Sequence, residues 1–241
     1  MAWQTPKTNW AAYDGVRAAD LNRIEGNILD LHGKFLQNSV VATVSTTGSD
    51  ETGNGTSGAP FRTFAKAISV VPKNLNGYNF TIQVLAGSYD EVVNVSDFSG
   101  GEVILSAAVG AAVTIAGLIV ENCNVLVDGM RLTVGSNGIF IGANGTLFSA
   151  TSDISLTGAA EGVTVRYGGT FEITKTLTIS NATRALQVQY GSTASVATLA
   201  GANNTIGIYA YNSTVYVSAL QIAAASRIIN ENSAVYTRGV S

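Results

Sequence analysis

Leu118-Ile119-Val120-Glu121-Asn122-Cys123-Asn124-Val125-Leu126-Val127-Asp128-Gly129-Met130-Arg131-Leu132-Thr133-Val134 is one unit of a pattern that fills the second half of the chain. Its apolar pairs Leu118/Val120, Val125/Val127 and Leu132/Val134 each skip one residue, which is the alternation of a half-buried strand. The first pair returns as Ile139/Ile141, Val163/Val165, Leu186/Val188, Ile208/Ala210 and, more weakly, Ile228/Asn230, with steps of 21, 24, 23, 22 and 20 residues. The second returns as Leu147/Ser149, Phe171/Ile173, Ala194/Val196, Val215/Val217 and Val235/Thr237. The third returns as Ile154/Leu156, Leu177/Ile179, Leu199 and Leu220/Ile222. Three short strands per repeat, separated by Gly, Asn and Ser, predict an all-β fold. The specific expectation is a right-handed parallel β-helix with three strands per coil, its six or seven coils rising about 4.8 Å each into a rod of roughly 30 Å.

A leucine-rich repeat has a similar period but needs a leucine and asparagine consensus with a helical return, which is absent. A β-sandwich would not hold a register of about 22 residues. Turn residues support stacking independently, because Asn122, Asn144, Asn212 and Asn232 fall just after the first strand in four repeats. Asparagine tolerates the left-handed conformation there, and an amide ladder between coils is expected.

The chain has 241 residues, 46% hydrophobic and only 12% charged, with 26 glycines and three prolines. It can bury a substantial core but carries little solubilising charge. The net charge of −3 and the scattered Lys and Arg give no basic patch, so nucleic acid is not an expected partner. No run has the length of a membrane span, and the first residues lack the blocks of a secretory signal, so membrane insertion is not expected and synthesis in the cytoplasm is. Cys123 is the one cysteine and sits in an apolar repeat, which excludes a disulfide within the chain and points to a buried, inert thiol. No cofactor or metal is expected.

Three segments follow from these patterns: an attachment segment and oligomerisation helix over 1–38, a linker with a capping helix over 39–72, and the β-helix over 73–241. In the first, Leu21, Ile24, Ile28, Leu31 and Phe35 are spaced 3, 4, 3 and 4, a heptad seam, with Asp20 as the expected N-cap. The seam suits an oligomeric bundle, and packing on the base of the chain's own β-helix is the alternative. Trp3, Pro6, Lys7, Trp10 and Tyr13 form an extended aromatic stretch with no core of its own, which suits docking on a partner. In the second segment, Phe61, Phe64, Ile68 and Val71 share the apolar face of a short helix placed to cover the open end of the first coil. Asp50, Glu51 and Asn54 carry calcium-ligand chemistry without the spacing of an EF-hand loop.

Two stretches are recognisable. Trp3-Gln4-Thr5-Pro6-Lys7-Thr8-Asn9-Trp10 and Ala19-Asp20-Leu21-Asn22-Arg23-Ile24-Glu25-Gly26-Asn27-Ile28 resemble the N-terminal segment of tail and baseplate structural proteins from phages and prophages of Gram-positive bacteria. Gly48-Ser49-Asp50 through Gly53-Asn54-Gly55-Thr56, Pro60-Phe61-Arg62-Thr63, Lys66-Ala67-Ile68 and Gly87-Ser88-Tyr89-Asp90-Glu91 resemble the opening of pectin-lyase-like β-helices of phage tailspikes and fibres. The resemblance implies a homotrimeric virion component in the tail or baseplate. It implies docking on other virion proteins through Trp3, Pro6 and Trp10, with Asp20, Asn22, Arg23 and Glu25, and a β-helix turned toward the host.

Many such rods cleave polysaccharides, and a depolymerase or lyase is the alternative function. Cleavage needs an acid and a base, or two carboxylates, converging within about 5 to 10 Å. Here one coil step moves Glu121 to Gly142 and Glu161 to Arg184, so the acids do not stack. Glu121, Asp128 and Arg131 are the best remaining constellation, and turn contacts explain them as well as chemistry does; Asp90 and Glu91 read as a strand-end turn and His32 as a solvated or interface side chain. No catalytic residue is expected. Ile119, Phe140, Leu126, Phe148, Tyr209, Tyr216, Ile229 and Tyr236 alternate with the inward pairs and should point outward, more apolar surface than a lone rod exposes. Of these, Tyr209, Tyr216 and Tyr236 are candidate contacts to a host cell-surface glycan or a neighbouring subunit.

Overall fold

In the computed structural model, which describes residues 4–8 and 15–238, the apolar pairs become three vertical columns of a parallel β-helix. In chain order the elements are α1 (Ala18–His32), β1 (Val40–Val44), α2 (Phe64–Ser69), β2 (Asn79–Val84), β3 (Gly87–Ser96), β4 (Glu102–Glu121) and β5 (Asn124–Val134). They continue as β6 (Ile139–Gly142), β7 (Thr146–Ser149), β8 (Asp153–Thr157), β9 (Glu161–Val165), β10 (Thr170–Ser180), β11 (Arg184–Gln189), β12 (Thr193–Tyr211), β13 (Thr214–Glu231) and β14 (Ala234–Thr237). All pairings between these strands are parallel, as coils stacked one on the next require.

One column runs Val40, Phe80, Val103, Val125, Leu147, Phe171, Ala194, Val215 and Val235. A second runs Val113, Leu132, Ile154, Leu177, Leu199 and Leu220. The third runs Val93, Leu118, Ile139, Val163, Leu186, Ile208 and Ile228. These are the three sets read from the repeat, extended toward the N-terminus. At about 4.8 Å per level the longest column spans roughly 40 Å. Burial of the inward side chains is close to complete except at the ends, where Val40 and Val235 are half-buried and Ile228 is exposed, so the hydrophobic effect acts along most of the axis rather than at one centre.

The stack begins earlier than residue 73. β1 lies inside the segment read as linker, yet it pairs with β2 in full register, and the loop and α2 are an insertion between those two strands. The lid helix is shorter than its pattern, but Phe61, Phe64, Ile68 and Val71 are all buried, and α2 packs on β1 and β3.

The residues of the recognisable opening hold this cap together. The Asp50 carboxylate accepts hydrogen bonds from the Arg62 N–H (2.8 Å), the Thr63 N–H (3.1 Å) and Thr63 Oγ1 (2.8 Å). Glu91 accepts from the Phe64 and Ala65 N–H groups at 2.8 and 3.2 Å, capping α2. Tyr89, edge-on to Phe64, donates to the Leu85 carbonyl at 2.7 Å, and burial pushes its pKa up to about 12. Burial alone would raise the Asp50 pKa. The hydrogen bonds from Thr63 and Arg62, with the Lys66 charge, outweigh it and hold the carboxyl below its ordinary value. A lowered folded pKa gives stability that is present above the unfolded pKa and lost as pH falls through the folded one. Asp50→Ala is therefore expected to cost about 1–2 kcal/mol at neutral pH. In urea melts the gap from the parent protein should close as pH falls through the carboxylate range.

The asparagine turns are left-handed as expected, with φ of 50° at Asn122, 63° at Asn144, 46° at Asn212 and 52° at Asn232. The amide ladder is not what links them. Asn122 Nδ2 donates to Asp97 Oδ1 at 2.9 Å, and rung-to-rung bonds such as Asn122 N–H to Ala143 O (3.1 Å) are main-chain. Register also places Ala143, φ 44°, level with Asn122, so Asn144 is one residue further along. The same turn is filled in the next two coils by Tyr167 and Tyr190, each at φ 56°.

One column has a gap at Gly201, where the sequence offered Leu199 without a second apolar partner. A side chain there would place its Cβ 1.7 Å from the Ile179 carbonyl oxygen, and φ is +135°. Gly201→Ala is expected to lower stability by about 2–3 kcal/mol or more, read from the urea midpoint.

Candidate functional site

The base of the rod carries the surface least explained by its own fold. α1 starts at the N-cap Arg17, so Asp20 is not the cap; it sits in the first turn, accepts from the Arg17 N–H at 3.2 Å and pairs with Arg23 at 3.4 Å. One helix face, with Asp20, Gly26 and Asn27, is buried. Part of what covers it is the extended N-terminal segment: Asn27 Oδ1 accepts from the Gln4 N–H and Asn27 Nδ2 donates to the Gln4 carbonyl, both at 2.8 Å. Asn27 thus pairs with both main-chain groups of Gln4.

The seam runs beside that pairing, with Ile24 and Leu31 a helical turn to either side of Asn27. Leu21, Ile24, Ile28 and Leu31 are 51, 46, 60 and 48% exposed. The helix ends at His32, so Phe35 is not a helical seam position. It pairs with Asn74 at the foot of the rod and, with Ile28, Leu31, His32, Gln37 and Asn76, lines a groove of about 350 Å³. The seam is therefore not packed into the chain's own core, whose first buried member is Leu36. Of the residues expected to dock on a partner, Trp3 and Trp10, like Tyr13, lie outside the described residues; Pro6 is exposed. Asn22, Arg23, Glu25 and Gly26 line a second groove with Gln4, Ala19 and Leu29.

On the flank, Glu121, Asp128 and Arg131 are not brought together into a site. The Glu121 carboxylate lies over Gly142 beside the Phe140 ring, Asp128 takes a 2.5 Å hydrogen bond from Thr151, and Arg131 Nε donates to the Gly110 carbonyl at 3.1 Å. Asp50 and Glu91 are spent on the cap, and Asn54 Oδ1 accepts from Thr56. Among the described residues no group of three His, Cys, Asp or Glu side chains is placed to hold a metal ion. Nor is any helix among them long and apolar enough to cross a membrane. Cys123 is buried, donates to the Val95 carbonyl at 3.2 Å, and burial pushes its thiol pKa up.

The outward residues divide. Ile119, Phe140, Leu126, Phe148, Tyr209 and Ile229 are half-buried, whereas Tyr216 and Tyr236 are exposed. Tyr209 is engaged within the chain: the Arg184 guanidinium lies 5.1 Å from its ring centre and pairs with Glu161 at 2.7 Å. The buried Gln187, with its amide nitrogen toward Glu161 and its oxygen 2.8 Å from Arg166 Nη2, completes a half-buried polar seam across three coils. Tyr216 and Tyr236 stack at 5.0 Å with rings 8° from parallel and, with Val217, Ser218, Val235, Thr237 and Arg238, line a groove of about 540 Å³ near the last rung.

Reading of the strands missed a third aromatic group, Tyr167, Tyr190 and Tyr211. Tyr167 and Tyr190 stack at 5.3 Å and 8°, and Tyr211 meets Tyr190 edge-on at 5.6 Å and 76°. The available signal was a Tyr-Gly pair, Tyr167-Gly168 and Tyr190-Gly191, where other coils place Asp97, Asn122, Ala143, Asn212 and Asn232. No family model, no curated protein and no solved structure matches this chain.

Proposed function

We propose that the chain is a structural and receptor-binding subunit of a phage virion appendage, a tail fibre, spike or baseplate component. It assembles as a homotrimer, docks on other virion proteins by its N-terminal segment, and turns its β-helix toward the host surface. It is made in the host cytoplasm and resides in the particle. The observation that carries this reading is the apolar stripe of α1, whose Leu21, Ile24, Ile28 and Leu31 stay exposed beside the Asn27 side chain that holds Gln4. A helix of this length is marginal alone in water, and a stripe of Leu and Ile at heptad spacing is covered most economically by identical stripes. The groove at Phe35, which Ile28 and Leu31 also line, extends the same apolar surface to the foot of the rod. The resemblance of residues 3–10 and 19–28 to phage tail segments supplies the setting.

Electron micrographs of the purified particle labelled with antibody against the β-helix test the setting. Label at the tail tip or baseplate is the expected result, and particles free of label and of the protein would contradict it.

A further inference from the structure

The turn after each third-column strand is left-handed. Asp97, Asn122, Asn212 and Asn232 occupy it in four coils, residues whose short polar side chains suit that conformation, and the small Ala143 occupies it in a fifth. Tyr167 and Tyr190 occupy it in two adjacent coils at φ 56°, where a bulky side chain is an outlier. Burial does not compensate them, since they are 56 and 46% exposed. An exposed position that breaks the local rule twice in succession, in the same way, is where function rather than folding selects the residue.

We propose that the corner formed by Tyr167, Tyr190 and Tyr211 is a carbohydrate-binding site on the flank of the rod. Tyr190 stacks on the Tyr167 ring and meets Tyr211 in a T-shaped contact, and the two contacts hold the stack in place. Tyr167 keeps one ring face without an aromatic partner, directed toward the preceding coil. There the Asn144 amide stands against Gly168, its Oδ1 2.6 Å from where a Cβ on that glycine would lie. A flat aromatic face bordered by an amide matches a pyranose ring, which offers an apolar C–H face and peripheral hydroxyls to be hydrogen-bonded. A nucleic acid would also stack, but the chain's net charge of −3 does not favour a phosphate backbone.

The inference deepens the host-contact part of the reading above and is independent of trimer assembly. The test is calorimetric titration of the full chain with chitohexaose, maltohexaose and hexagalacturonate, which separate acetamido, neutral and acidic sugars. At least one should bind, and Tyr167→Asn and Tyr190→Asn should each weaken it at least tenfold. Both variants should melt at or above the parent temperature, because they install the residue that other coils use at this turn, and their mass by light scattering should not change. No binding by the parent chain at millimolar probe would overturn the assignment. So would unchanged affinity in the double variant, or loss of binding instead in Tyr216→Ser with Tyr236→Ser, which would move the site to the tip. If the parent binds as described while labelled particles show no protein, the site stands and the virion setting falls.

Discussion

Phe171→Ala is expected to lower the unfolding free energy by about 3–5 kcal/mol, the largest stability loss of any single truncation proposed for this chain. Phe171 is fully buried, and its column neighbours are Leu147 on one side and Ala194 on the other. Phenylalanine here fills the space that the small Ala194 leaves, so truncation sets two alanines on consecutive levels and opens a cavity between coils. Each coil of a solenoid is supported chiefly by the two it touches, so the defect cannot be shared across a wide core. Phe148→Ala, on an outward and half-buried position one level away, should cost about 1 kcal/mol or less. Urea unfolding of the two variants gives the comparison, and equal losses would contradict the inward and outward assignment of this strand.

Ile24→Asp combined with Ile28→Asp is expected to convert the assembly to single chains while leaving the β-helix folded. Both residues are exposed on α1 and neither belongs to the buried core, so the charges meet water in the isolated chain. In a bundle they would be buried side by side without counter-charges, which no seam of this length can offset. The expected readout is a fall in mass to 24.9 kDa with an unchanged β-rich circular dichroism spectrum. An unchanged mass would show that the rods associate through another surface.

How much of this was legible in the sequence depends on which part of the coil a residue occupies. The pairs from Leu118/Val120 onward could be read because each strand keeps two inward apolar residues and each coil is close to 22 residues long. The earlier levels were hidden by the insertion between β1 and β2, which places Val40 and Phe80 side by side although they are forty residues apart. Gly201 hid one second-column position because backbone, not a side chain, fills that level. Asn144 was misplaced by one residue because Ala143 and Asn144 are both left-handed, and spacing alone cannot say which is in register.

The candidate surfaces were legible only where an outward position lies within a strand. Alternation pointed to Tyr209, Tyr216 and Tyr236, but it cannot show that Arg184 lies over Tyr209, since that contact depends on the adjacent coil. Tyr167 and Tyr190 sit in turns, where alternation stops, and they become a pair only when the coils are stacked. Glu121, Asp128 and Arg131 show the reverse: they are close in sequence and share a coil, but each is committed to its own turn or neighbouring level. In a β-helix the residues that meet are those one coil apart, and chemistry has to be sought along the axis.

The central claim is that this rod is built to be one of three. Light scattering of the purified full chain at micromolar concentration tests it most directly. The account predicts a mass of about 75 kDa, three times the 24.9 kDa chain, and a stable mass of 24.9 kDa would contradict it.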